Sequence, residues 1–215
     1  VIFDEFHERS IHTDLSLALC LQVQELLRDD LKLLIMSATL DSLELTNLLG
    51  KIPVINSKGK IYDVENIYLE TNIKQPDSKS INTLLLKITL KAIKEDEGDI
   101  LVFLAGSREI QKLQALLEEA LKDKNIEILP LYSTLSKEKQ DKAISKSNKR
   151  KIILSTNIAQ TSLTIEGVKV VIDSGLEKVS RYNYSNAMNH LELSFISNDS
   201  ATQRAGRAGR LSDGK

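Results

Sequence analysis

Residues 100–131 read ILVFLAGSREIQKLQALLEEALKDKNIEILPL. Ile100 to Leu104 is an apolar run of strand length, and Arg108 to Leu121 sets Ile110, Leu113, Leu117, Ala120 and Leu121 on one helical face. Ile126 to Leu131 is a second apolar run. An apolar strand, an amphipathic helix and another apolar strand in succession form the repeating unit of a parallel sheet covered by helices.

The alternation continues in both directions. Upstream, a helix is expected over Ile81 to Lys94. Downstream, a polar helix over Lys137 to Ser147 leads to strands at Ile152-Ile153-Leu154 and Val168 to Ile172. Lys178 to Tyr184 and His190 to Ile196 then alternate around Ser185-Asn186-Ala187-Met188-Asn189, which predicts a β-hairpin inserted into an α/β domain. A shorter series opens the chain: Val1-Ile2-Phe3, then Leu15, Ala18, Leu19, Val23, Leu26 and Leu27 at helical spacing, then Leu33-Leu34-Ile35-Met36. A helix over Asp41 to Leu49 and the run Pro53-Val54-Ile55 complete it, and the pattern loosens over Ser57 to Tyr62, the linker candidate. The expected fold class is α/β, with a partial parallel-sheet domain over 1–61 and a fuller one, carrying the hairpin, over 62–215. Opening directly on an apolar run, the chain reads as an internal segment of a longer protein.

Composition narrows the function classes. With 215 residues and 41% hydrophobic content the chain can build real cores. Its formal net charge of −1 gives no global positive field, so a nucleic-acid site would be a local patch. The basic group Lys146, Lys149, Arg150 and Lys151 is one such patch, although a solvated loop is the plainer reading. The single cysteine, Cys20, lies in an apolar helical pattern, cannot form an internal disulfide and fits a reducing compartment. No apolar run approaches membrane-spanning length, and the expectation is a soluble cytoplasmic protein with no membrane partner.

Two stretches carry chemistry. Asp4 and Glu5 follow the first apolar run, and in open parallel sheets ligands gather beyond the carboxyl ends of the strands. One carboxylate there can orient a hydrated Mg²⁺ while its neighbour polarises an attacking water. Taken alone, an acidic pair at a strand end would be a turn. Near the other end the chain reads Gln203-Arg204-Ala205-Gly206-Arg207-Ala208-Gly209-Arg210. If this run is helical, Arg207 and Arg210 share a face with Gln203, and the small residues between them permit close approach across a cleft to a transferring phosphoryl group.

The chain resembles the DEAH-box helicases of superfamily two. Asp4-Glu5-Phe6-His7-Glu8-Arg9-Ser10 resembles their motif II, with Phe6 where most members carry Ala, a variant that together with Leu27 to Asp41 resembles the bacterial HrpB-type branch. Ser37-Ala38-Thr39 resembles motif III, Phe103 to Ile110 motif IV, Ser155 to Ile165 motif V, and Gln203 to Arg210 motif VI. The resemblance implies two RecA-like domains, the first partial, in an ATP-dependent RNA helicase moving 3′ to 5′. ATP and Mg²⁺ would be its cofactors, and single-stranded or overhanging RNA its partner.

By the same resemblance Asp4 and Glu5 handle Mg²⁺ and catalytic water, and His7, Ser37 and Thr39 couple the nucleotide site to domain movement. Gln203 positions water, Arg207 and Arg210 neutralise charge on the γ-phosphate, and Ser155 senses phosphate state. Asp173, at a strand end, contacts the nucleotide or caps a turn. Arg108, Ser133, Thr156, Asn157 and Thr161 occupy positions where the family meets RNA. Gln160 stands where this motif usually has Glu, which puts any carboxylate role there in doubt. The hairpin would act as a strand-separating wedge. No Gly-x-x-x-x-Gly-Lys-Ser/Thr occurs in the chain, so the triphosphate cradle is expected upstream of Val1, and the isolated chain is expected to be inactive. A regulatory ATPase-like module without unwinding, or a DNA-directed enzyme, remain as alternatives.

Overall fold

The computed structural model describes residues 1–37, 49–50, 52–57, 62–69, 81–122, 124–160 and 165–215. All but the last residue of the helix expected over Asp41 to Leu49, most of the linker candidate, Thr39 and Thr161 lie outside the described residues. The chain divides into two compact units, Val1–Gly59 and Lys60–Lys215.

In the first unit, β1 (Ile2–Phe3) pairs in parallel with β2 (Leu34–Ile35), and α1 (Ile11–Leu26) connects them. Ser10 starts α1 by accepting the Thr13 N–H at 3.1 Å. Phe3, Phe6 and Leu17 form the core, with Cys20, Leu21, Leu33 and Ile35 packed against it. The helical face expected from Leu15, Leu19, Val23 and Leu26 is exposed, and the neighbouring face carrying Leu17 is the one that meets the sheet. The cause is that α1 is apolar on more than one side, so spacing alone does not select the buried stripe. Pro53-Val54-Ile55 forms no strand.

The second unit holds a four-stranded parallel sheet in the order β4-β5-β3-β6, built from β3 (Asp99–Phe103), β4 (Ile126–Leu131), β5 (Arg150–Ser155) and β6 (Val168–Asp173). Period-two alternation splits the strands between two cores. Ile100, Val102, Ile152 and Leu154 pack toward α2 (Ile81–Glu95) and α3 (Ser107–Ala120). Leu101, Phe103 and Ile153 pack with Ala143 of α4 (Lys137–Ile144). Beyond β6, Lys215 N–H donates to the Lys169 carbonyl at 2.9 Å, and Val64 bridges Gly214.

Half of the basic group turns inward. Arg150 donates to the carbonyls of Ile93, Asp96 and Gly98 at 2.9, 2.7 and 2.6 Å, closing the carboxyl end of α2. The buried Lys151 ammonium donates to the Ala143 and Ser145 carbonyls, 3.7 Å from Asp99. Only Lys146 and Lys149 of the group are exposed.

The hairpin, β7 (Leu176–Asn183) and β8 (Met188–Phe195), pairs in antiparallel register from Leu176↔Phe195 to Asn183↔Met188. Its base is anchored, with Leu176 buried and the Lys178 ammonium donating to Glu109 of α3 at 2.8 Å. A Cβ at Gly106 would lie 2.6 Å from that ammonium, so Gly106 is what lets the pair close over the start of α3.

Burial pushes the Glu109 carboxyl up, but the Lys178 hydrogen bond, its own backbone amide and the charges of Lys178 and Lys112 outweigh this and hold it below its ordinary value of 4.5. Stability from such a carboxylate is fully present above the unfolded value and is lost as pH falls through the lower folded one. Lys178→Met is therefore expected to lower the thermal midpoint by roughly 1–4 °C at neutral pH, with the deficit shrinking as the pH falls well below 4.5. Melts across that range check this, and a deficit constant with pH would contradict it.

Candidate functional site

In the first unit the candidate residues lie on an elbow at the end of β1. Glu5 adopts φ 50°, in the left-handed region that a side chain seldom occupies, and Arg9 follows at φ 45°. The turn is held by two bonds: Glu5 N–H donates to Asp4 Oδ1 at 2.8 Å, and Phe6 N–H donates to the Met36 carbonyl at 3.0 Å. Phe6 is the anchor. It is buried edge-on against Phe3, with ring centroids 6.5 Å apart, and the Arg9 guanidinium lies 5.6 Å from its own ring centre. Strain held in this way at a polar elbow is a mark of functional geometry.

The elbow brings three of the expected residues together. Asp4 is exposed, Glu5 is partly exposed, and His7 Nε2 lies 3.4 Å from Glu5 Oε2. Asp4 offers hard oxygen donors, which suits Mg²⁺ held through one carboxylate, water and phosphate oxygens. Among the described residues, no group of three or more His, Cys, Asp or Glu side chains could hold a metal by itself. Ser37, partly buried, follows β2.

In the second unit the candidate residues lie at the carboxyl edge of the four-stranded sheet, where the segments after β3, β4, β5 and β6 gather because all four strands run in parallel. Arg108, Ser133, Thr156, Asn157 and Asp173 all lie on this edge; Arg108, Ser133 and Asn157 are exposed. Ser155 is buried, its hydroxyl 3.2 Å from the Leu131 carbonyl and 2.9 Å from that of Thr156.

The Gln203–Arg210 run is not a continuous helix. α5 (Asn198–Ala205), started by Ser197 accepting the Ser200 N–H at 3.1 Å, ends before Gly206, and Arg207 to Arg210 follow in turns. The common helical face expected for Gln203, Arg207 and Arg210 is therefore absent. The cause is Gly206 and Gly209, which helices disfavour, together with the packing of the turn. A Cβ at Gly209 would lie 2.6 Å from Val64 Cγ2 and 2.8 Å from the Tyr62 carbonyl, so this glycine serves close approach within its own unit. Arg210 is exposed, whereas Arg207 is 7% exposed and donates through Nη2 to the Gln160 carbonyl.

Arg204, to which the sequence assigned no role, is the centre of this edge. It is 1% exposed. Its Nε donates to Gln160 Oε1 at 2.9 Å and its Nη1 to Asp173 Oδ1 at 3.1 Å; Nη2 lies 3.6 Å from Glu177, and the guanidinium stands 4.9 Å from the Phe103 ring centre. Asp173 Oδ1 also accepts the Gly175 N–H at 2.8 Å. The turn-capping alternative for Asp173 is thus observed, joined to the grip on Arg204. Only the acidic residues at the end of β6 and the start of β7 hinted at a buried cation, because nothing within the arginine-rich run itself separates Arg204 from its neighbours.

The profile described as "helicase conserved C-terminal domain" matches residues 80–212. The chain belongs to that family. This helicase-domain chain is 44% identical over 216 residues to the ATP-dependent RNA helicase HrpB of Escherichia coli K12, covering 100% of this chain and 26% of HrpB. It is 42% identical to the ATP-dependent RNA helicase HrpA of Borreliella burgdorferi, again over 100% of this chain and 26% of the relative. The crystal structure of the E. coli DExH-box NTPase HrpB superposes with a TM-score of 0.87 at 44% identity, covering 100% of this chain and 26% of that one. The chain thus spans about a quarter of the length of these relatives. The likeness bears out the resemblance to HrpB-like DEAH-box helicases, and with it the α/β fold of RecA-like parallel sheets with an inserted hairpin.

Proposed function

We propose that the protein to which this helicase-domain chain belongs is a cytoplasmic ATP-dependent RNA helicase that uses ATP hydrolysis to move 3′ to 5′ and unwind. The observation that carries the reading is the fixing of the Gln203–Arg210 run at the carboxyl edge of the sheet through buried Arg204, in a chain 44% identical to HrpB. Asp4 would hold Mg²⁺, largely through water, and that ion would offset the negative charge of the bound phosphates. Glu5 takes a proton from the attacking water, and His7, within reach of its carboxylate, orients it. Gln203 positions water, and Arg207 and Arg210 stabilise charge developing on the transferred group. For Arg207 this requires its guanidinium to leave the Gln160 carbonyl. Ser37 and Thr39 pass the nucleotide state to domain movement. Ser155 and Asp173 act at the nucleotide edge, Asp173 through Arg204. Arg108, Ser133, Thr156, Asn157 and Thr161 contact the RNA backbone.

Strand displacement by the full-length protein on RNA duplexes with 3′ or 5′ overhangs, with DNA competitors alongside, tests this directly. Unwinding from the 3′ overhang alone, resistant to DNA, is the expected result; displacement from the 5′ overhang or of DNA alone would refute it. The isolated 215-residue chain should hydrolyse no ATP, because it contains no Gly-x-x-x-x-Gly-Lys-Ser/Thr cradle.

The hairpin is proposed as the separating wedge. Its eight-residue strands extend about 25 Å, most of β8 is exposed, and Tyr182 and Tyr184 stack edge-on near the tip with ring centroids 5.2 Å apart. The register pairs Arg181 with His190, so replacing 182–189 by Asn-Gly shortens the hairpin without breaking the pairing. The variant should keep RNA-stimulated hydrolysis and lose strand separation per ATP consumed. An unchanged ratio would show that the hairpin serves packing.

A further inference from the structure

Gln160 connects two segments at the carboxyl edge of the four-stranded sheet. It lies in the turn after β5, yet its side chain reaches three residues of α5. Nε2 donates to Ser200 Oγ at 3.0 Å and to Gln203 Oε1 at 3.1 Å, while Oε1 accepts from Arg204 Nε at 2.9 Å. Its backbone carbonyl accepts from Arg207. One residue therefore touches Gln203, Arg204 and Arg207, the first and last of which are assigned to hydrolysis under the proposed function.

We propose that Gln160 is a positioning residue for hydrolysis, fixing which end of the Gln203 amide faces the reacting phosphate and holding Arg207 in reserve beside it. The inference rests on the helicase reading above and extends it to a residue with no assigned role.

The chemistry accounts for an amide at this position. A carboxamide accepts from Arg204 and donates to Ser200 and Gln203 at once, a combination closed to a carboxylate. Arg204 already faces the carboxylates of Asp173 and Glu177, so a neutral group on its third side adds no further negative charge to one buried cation. A Glu at 160 would keep the Arg204 bond and could still bind Gln203, but only by accepting from it, which turns the Gln203 amide end for end. An Ala removes all three side-chain bonds and leaves only the backbone carbonyl for Arg207.

The test uses the full-length protein and its Gln160→Ala and Gln160→Glu variants. Steady-state kcat and KM for ATP are measured together with amide hydrogen exchange over residues 203–210. Gln160→Ala is expected to lose about tenfold or more in kcat with KM held within about twofold, because a misplaced group costs turnover more than binding. Gln160→Glu, which keeps the Arg204 bond but turns the Gln203 amide end for end, is expected to lose kcat about as Gln160→Ala does while exchange over 203–210 stays slow. Exchange should quicken over 203–210 in Gln160→Ala and remain unchanged across β3 and β5. Parental kcat in either variant would overturn the inference, as would a loss in Gln160→Ala accompanied by exchange that quickens across the whole sheet. If the parent protein hydrolyses no ATP, it is the helicase reading that fails. The inference is then decided by exchange alone, and unaltered protection over 203–210 in Gln160→Ala overturns it.

Discussion

Glu5→Gln in the full-length protein is expected to bind ATP as the parent does and to turn it over at least ~100-fold more slowly. The expectation follows from the elbow. Glu5 is held in the left-handed region with its backbone N–H committed to Asp4, so its side chain leaves the end of β1 in one direction, beside His7 at 3.4 Å. A glutamine there keeps the shape and most hydrogen-bonding capacity but cannot take a proton from water. Because the anchor of the elbow is the buried ring of Phe6, the substitution should leave the thermal midpoint nearly unchanged. Rapid-quench turnover beside nucleotide binding by fluorescence checks both parts. Parental turnover would remove Glu5 from the general-base role, and loss of binding with loss of fold would make the elbow a structural turn.

Arg204→Ala is the second large effect. The guanidinium is the shared partner of Gln160, Asp173 and Glu177, so its removal strands two carboxylates and an amide oxygen at the sheet edge. Breaking a fully buried charge network costs about 3–5 kcal/mol; here Asp173 and Glu177 keep 22% and 25% of their side-chain surface in water, so about 2–3 kcal/mol is expected. For a unit of this size that lowers the midpoint by roughly 5–10 °C. Turnover should fall as well, since Gln203 and Arg207 flank the lost anchor. Arg204→Lys should recover little, because a lysine cannot reproduce the fork that meets an amide and two carboxylates in one plane. A midpoint within about 1 °C of the parent would contradict the placement of Arg204 at the centre of this edge.

The parts of the fold that were legible in the sequence are those where local pattern and tertiary burial agree. β3 is apolar from Ile100 to Phe103 because both its faces are covered, and α3 shows its buried stripe because its other side is polar; both were therefore readable from residues 100–131. α1 is apolar on more than one face, so the buried stripe containing Leu17 could not be chosen from spacing. The helix through Arg210 failed for a different reason. Its end is decided by Gly206 and by the crossing of Gly209 over Tyr62, a contact between residues nearly the whole unit apart in sequence. Arg204 was missed because burial of a guanidinium depends on partners supplied by β6, β7 and the turn after β5, none of which is near it in the chain. Lys151 and Arg150 were read as a surface patch for the same reason: their partners are carbonyls at the ends of α2 and α4. By contrast, the strand-end positions of Asp4 and Glu5 in one sheet, and of Thr156 and Asp173 in the other, were legible because a parallel sheet brings its strand ends to its own carboxyl edge whatever the details of packing.

ATP hydrolysis by the full-length protein, measured with and without single-stranded RNA and beside Glu5→Gln, is the most direct test of the proposal that Glu5 acts as the base in a nucleotide hydrolysis coupled to RNA. Hydrolysis that RNA raises several-fold and that Glu5→Gln abolishes is the predicted result. Hydrolysis indifferent to RNA, or equal in the parent and Glu5→Gln, would contradict it.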